Sequence, residues 1–214
     1  MPQGSVIRSV FFLIYINDLA ARVSSMTCLF ANSTILYRFI TASEDHDTLQ
    51  ADLQKMEEWE EEWDMRFHPS KCSVLTMSRK QTTCGHQYKL HNQVLENVTS
   101  MKYLGITLQH SAKFDQNINT VVAKVNRTLG FLRRNLRIRE TNIKAQAYKS
   151  LVCPILKYSC TVWDPAAQKD INRLDALQCR AARFALNQHQ KTASVKQMLQ
   201  ELNWPSLEQR QRRA

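Results

Sequence analysis

Glycine occurs only four times and proline five times in 214 residues. Barrels and sandwiches need frequent tight turns, which those two residues largely supply. The scarcity argues against an all-β fold and for one dominated by helices. Long apolar runs are missing too. The longest, Val-Phe-Phe-Leu-Ile-Tyr-Ile at residues 10–16, is closed by Asn17 and Asp18, whereas a membrane-spanning helix needs about 20 apolar residues. The run has the length of a signal-peptide core and follows Arg8, but no small-residue cleavage site comes promptly after it. The expectation is an intracellular protein, nuclear or cytoplasmic, with no membrane partner. The glycosylation patterns at Asn32, Asn97 and Asn126 then carry no weight. Cys28, Cys72, Cys84, Cys153, Cys160 and Cys179 include no CxxC pair and no zinc-finger spacing to histidine. They read as reduced thiols rather than as metal ligands or a disulfide framework.

What the chain does carry is positive charge: 29 lysines and arginines against 19 acidic residues, net +10. The charge is laid down in blocks, with residues 41–67 at net −8 and residues 111–214 at net +12. An excess concentrated in one half favours a polyanionic partner there, nucleic acid first. Nothing in the composition calls for a small-molecule substrate.

Periodicity divides the chain near residue 112 into an α+β part and an all-helical part. Residues 5–21 read as a helix too apolar all round to lie on a surface. Residues 27–36 read as a tight hairpin turning at Ala31-Asn32-Ser33-Thr34. Leu49, Leu53, Met56, Trp63 and Phe67 fall on one face of a helix over 47–67, whose acidic run at 57–64 reads as a solvated face and which Pro69 stops. Asp18 reads as a cap, and the four tryptophans as packing residues. Residues 72–77 and 103–108 read as strands and 88–95 as a further hairpin. Beyond residue 114 the spacing is helical throughout. Ile118, Val121, Val125, Leu129, Leu132 and Leu136 make one stripe, and helices follow over 141–159, broken near Pro154, 166–187 and 194–202.

Several of these segments resemble a known family. Pro2-Gln3-Gly4-Ser5 followed by Phe12-Leu13-Ile14-Tyr15-Ile16-Asn17-Asp18-Leu19 resembles the template- and nucleotide-binding motif of non-LTR retrotransposon reverse transcriptases, the jockey-like group especially. Phe30-Ala31-Asn32-Ser33-Thr34 stands where that family has Phe-Ala-Asp-Asp-Thr on a hairpin turn. Phe67-His68-Pro69-Ser70-Lys71-Cys72 resembles its lysine motif, and Lys102-Tyr103-Leu104-Gly105-Ile106 its primer-grip strand. Residues 128–136 and 147–163 resemble its helical thumb. The implied architecture is α+β: over 1–112 a truncated palm, a small antiparallel sheet with helices, and over 113–214 a basic, thumb-like helical region.

The resemblance implies a magnesium-dependent polymerase for an intact member, yet here the hairpin aspartates are replaced by Asn32 and Ser33. The remaining metal-binding aspartate belongs to a strand upstream of the first motif, and this chain begins at Met1. Magnesium requires hard, charged oxygen ligands, and two-metal catalysis contributes several kcal/mol at about 1.4 kcal/mol per factor of ten. The reading is therefore a catalytically inactive fragment with no metal or other cofactor. Lys71 is a vestige of the family's general acid, and Gln3, Gly4 and Ser5 are a vestige of its nucleotide pocket. Lys124, Arg127, Arg133, Arg134, Arg137 and Arg139 are the candidates for holding nucleic acid, duplex or RNA–DNA hybrid, with low specificity. The alternatives are a protein-interaction module, self-associating through an exposed palm edge, and a degenerate reading frame without a selected role.

Overall fold

The structure, a computed structural model, describes residues 6–78, 85–165, 167–188 and 194–205. In chain order come α1 (Val6–Ile16), α2 (Leu19–Arg22), β1 (Met26–Phe30), β2 (Ser33–Tyr37) and α3 (Ser43–Trp63). A 3-10 turn at Pro69–Lys71 leads to β3 (Ser73–Val74), β4 (Lys89–Leu90), β5 (Gln93–Val94), β6 (Glu96–Asn97), β7 (Ser100–Tyr103) and β8 (Ile106–Gln109). The rest is helical: α4 (Asp115–Asn135), α5 (Thr141–Leu151), α6 (Cys153–Lys157), α7 (Cys160–Trp163), α8 (Gln168–Leu186) and α9 (Val195–Glu201). The fold is α+β. Among the described residues its strands form four separate two-stranded ladders, three antiparallel and one, β3 with β6, parallel. Two compact units divide at Thr99/Ser100, earlier than the boundary near 112 read from periodicity. The physical reason is that Ile106 of β8 is buried in the helical core with Ile118, so the β7–β8 hairpin belongs with the helices.

In the first unit Trp59 is wholly buried with Ile16, Leu19 and Met56, and Leu29 and Leu36 pack on that cluster. Strand β1 alternates as a one-sided hairpin must: Thr27 and Leu29 are half-buried while Met26, Cys28 and Phe30 are exposed. Helix α1 departs from expectation. It ends at Ile16, and Val10, Phe11, Leu13 and Ile14 are each at least half exposed, so this apolar helix does present a surface. Asp18 makes no side-chain cap; its carboxylate instead accepts the Trp59 indole N–H at 3.0 Å.

Helix α3 begins at Ser43, before the expected Asp47, because the Asp45 carboxylate accepts the Thr41 and Ala42 N–H groups and caps its first turn. It ends at Trp63 because Asp64 turns left-handed (φ 52°), five residues ahead of Pro69, which opens the 3-10 turn. The strand expected over 72–77 is reduced to Ser73–Val74. The acidic face is not uniformly solvated either. Glu60 is buried, accepts the Phe67 N–H and pairs with His91 Nε2 at 2.6 Å. Asp52 is buried as well and accepts the N–H groups of Ser24 (2.9 Å) and Ser25 (2.7 Å) and the Lys55 ammonium (3.0 Å).

In the second unit the stripe of α4 is buried as expected, with Ile118, Val125, Leu129 and Leu132 set against Tyr148, Val152, Leu156, Trp163, Leu174, Leu177 and Phe184. Pro154 breaks the 141–159 segment: α5 ends at Leu151 and Pro154 opens α6, where its missing N–H costs nothing. The single strand expected over 103–108 is instead a hairpin. Leu104 (φ 45°) and Gly105 (φ 82°) make its two-residue turn, and the Tyr158 hydroxyl donates to the Leu104 carbonyl at 2.6 Å.

Two outcomes test these contacts. Burial alone would push the Asp52 carboxyl up, but its three donors outweigh that and hold it below the ordinary value of 3.8. A carboxyl depressed by folding contributes stability that is complete above the unfolded value and is lost as pH falls through the folded one. Asp52→Asn should cost about 1–3 kcal/mol at neutral pH and flatten the acid limb below about pH 4, read from denaturant melts across that range. At Gly105 an added Cβ would meet Tyr158 Cε1 at 3.3 Å on backbone that alanine resists. Gly105→Ala should therefore destabilise by about 1–2 kcal/mol, and an unchanged midpoint in the same melts would contradict this.

Candidate nucleic-acid interface

The hairpin tip comes first because chemistry would sit there. Ala31 takes a left-handed conformation (φ 49°), which lets β1 turn directly into β2, and Asn32 and Ser33 stand exposed at that turn. Lys71 is exposed at the end of the 3-10 turn. Gln3, Gly4 and Ser5 lie outside the described residues. Among the described residues no three of His, Cys, Asp and Glu gather as a metal site would require. The described cysteines are all free thiols, and burial pushes those of Cys72 and Cys179 up, away from nucleophilic character.

The cations are arranged differently. The unit Met1–Thr99 has 9 basic and 12 acidic residues, net −3, and Ser100–Ala214 has 20 and 7, net +13. All six candidate cations are exposed, and none is in an ion pair among the described residues. They do not share one face. Lys124, Arg127 and Arg134 are three and seven residues apart and line one strip of α4, opposite the buried stripe. Arg133 lies a hundred degrees round the helix from Arg134, on the flank where Asn126 receives Arg180 of α8 at 2.8 Å. Arg137 and Arg139 fall beyond the helix, in the segment leading to α5.

That segment is anchored. The Asn187 amide donates to the Arg139 carbonyl at 3.0 Å, and the same side chain accepts from buried Lys144, whose ammonium sits 4.9 Å from the Phe184 ring centroid. Arg133 and Arg134 also have a local reason to be where they are, since cations favour the last turn of a helix. Lys124 and Arg127 have none. Two like charges three residues apart cost a helix about 0.2–0.5 kcal/mol. Sequence reasoning missed one member of the strip. Phe131, four residues after Arg127 and three before Arg134, is 53 % exposed. The signal was available, since it is the large apolar residue of α4 that falls outside the buried stripe.

Comparison with known proteins agrees with the motifs. The family model for reverse transcriptase (RNA-dependent DNA polymerase) matches residues 1–108. The chain belongs to the reverse transcriptase family. It is 25% identical over 194 residues to a probable RNA-directed DNA polymerase from transposon X-element of Drosophila melanogaster, covering 86% of this chain and 21% of that protein. To the RNA-directed DNA polymerase from mobile element jockey of the same fly it is 24% identical over 196 residues, with the same two coverages. To a probable RNA-directed DNA polymerase from transposon BS it is 26% identical over 199 residues, 86% of this chain and 22% of that protein. The chain thus spans about a fifth of these relatives, and no solved structure matches it. The similarity to non-LTR elements continues well beyond residue 108, into the basic helices.

Reverse transcriptases ordinarily use magnesium, and the donor set at this hairpin tip does not fit it. Asn32 offers an amide oxygen and Ser33 a hydroxyl, neither charged, where a divalent ion wants carboxylates. No helix among the described residues is long and apolar enough to cross a membrane.

Proposed function

We propose that this chain is a nucleic-acid-binding fragment of a non-LTR retrotransposon reverse transcriptase that has lost polymerase activity. On this reading Met1–Thr99 is a partial palm and Ser100–Ala214 a thumb preceded by its primer-grip hairpin. The observation that carries the binding is the strip of unpaired cations on α4, maintained at a cost in helix stability. The support for inactivity is the uncharged pair Asn32 and Ser33 at the turn where the family's aspartates would hold metal. The ligand is duplex or RNA–DNA hybrid, which rests on the likeness to the thumb, and the setting is intracellular, nuclear or cytoplasmic.

Specificity should be low for a structural reason. Three of the α4 amides are already held by neighbours: Asn119 by Arg173, Asn126 by Arg180, and Asn135 with the Phe131 carbonyl. A second reading, a protein-interaction or self-associating module, draws support from the exposed Val10, Phe11, Leu13 and Ile14 and from the outer edges of the β1–β2 ladder, which pair with no other strand among the described residues.

Titrating the chain against a labelled duplex at several salt concentrations tests the binding. Counterion release gives a log–log slope near −0.9 per phosphate neutralised. Changing Lys124, Arg127 and Arg134 together to alanine should weaken binding and make the slope shallower by about 2–3. Absence of binding at low salt, or indifference to the triple change, would reduce the strip to a solvated surface. In parallel, primer-extension assays with magnesium or manganese should yield no product above a no-protein control, and templated synthesis would overturn the inactivity.

A further inference from the structure

We infer that Phe131 gives the α4 strip a base-stacking contact, so that the protein prefers nucleic acid carrying unpaired nucleotides over a continuous duplex. The inference rests on the nucleic-acid reading above and names a feature of the ligand that phosphate contacts cannot specify. A single exposed apolar side chain is ordinary. What distinguishes Phe131 is its setting: Lys124 seven residues before it, Arg127 four before and Arg134 three after place it inside a row of cations. Over the ten residue steps from Lys124 to Arg134 the helix rises about 15 Å, enough for two or three nucleotides of an extended strand.

The ring is open to such a ligand. It is 53 % exposed, and the cation seated over an aromatic ring among the described residues is Lys144 on Phe184, not a neighbour of Phe131. Its backbone is fixed, since the Asn135 amide donates to the Phe131 carbonyl at 2.8 Å and Leu129 and Leu132 on either side are buried. The strip therefore combines the two parts of a single-strand platform: positive charge for the backbone and an aromatic face on which any base can stack. Such a contact tolerates sequence, in keeping with the engaged amides. It also requires a base that is not already stacked between two neighbours in a duplex. The partner is thus a strand end, an overhang or a gap.

The experiment compares three labelled probes with the same duplex: blunt, with a four-nucleotide overhang, and with an overhang of four abasic residues carrying the same phosphates. Full-length chain is titrated by fluorescence anisotropy at fixed salt. The base-bearing overhang should bind about 5- to 150-fold more tightly than the abasic one, and Phe131→Ala should abolish that advantage. Phe131→Trp should retain it. Circular dichroism should show both variants folded as the parent, since the side chain lies outside the core. If base-bearing and abasic overhangs bind alike, or the advantage survives Phe131→Ala, the stacking contact is overturned while general binding stands. If no probe binds at low salt, the nucleic-acid reading itself fails. If Phe131→Ala instead dissociates an oligomer and leaves every probe affinity unchanged, the ring serves contact between copies and the inference is wrong.

Discussion

The burial of Ile118, Val125, Leu129 and Leu132 fixes the rotation of α4, and the character of the basic unit depends on that rotation. Each such side chain contributes roughly 1.5–3 kcal/mol by leaving water. Turning the helix to hide its cations would expose all four and bury charge without partners, a cost far above anything a surface ion could return. Lys124, Arg127, Phe131 and Arg134 are consequently held outward by what lies on the other side of the helix. The strip is a by-product of the core in its position, though not in its composition. Residues facing water on α4 could have been alternating glutamate and lysine, which would stabilise the helix rather than strain it.

The arginines of α8 show the contrast. Arg173 is consumed by Asp170 and Asn119, and Arg180 by Asn126, so these cations cross to α4 and tie the two helices together. A count of charges along the sequence cannot separate the two uses. The geometry does: cations directed at neighbouring helices are structural, whereas those on the far side of α4 have no role inside the fold.

How much was legible beforehand follows from range. The hairpin at Asn32, the α4 stripe and the break at Pro154 are local patterns, carried by alternation, by 3.6-residue spacing and by a missing N–H. The turn at Leu104-Gly105 reads as strand in the sequence because a bulky residue at φ 45° is rare, and it is held by Tyr158, 54 residues away. Glu60 falls within the run that reads as a solvated face because its partner His91 lies far off in sequence, and nothing local marks Asp52, whose partners Ser24 and Ser25 are equally distant. Phe131 was overlooked for the opposite reason, that an aromatic residue in a helix is usually core. Local signals were readable; side chains whose meaning depends on a distant partner, or on having none, were not.

The proposed loss of catalysis and survival of binding have different physical requirements. Metal-dependent transfer needs particular carboxylates at fixed positions, so an amide such as that of Asn32 in place of a carboxylate removes the charge the ion requires. Electrostatic attraction to a polyanion is a sum over many charges, and losing or moving one changes the sum by a fraction. Mutation therefore erodes the first function abruptly and the second gradually. A net charge of +13 on Ser100–Ala214, together with a hairpin tip that carries no carboxylate, is the pattern that the proposed order of loss would leave. Under the proposed function, a polyanion-binding surface is the part of such machinery that would outlast the catalytic site.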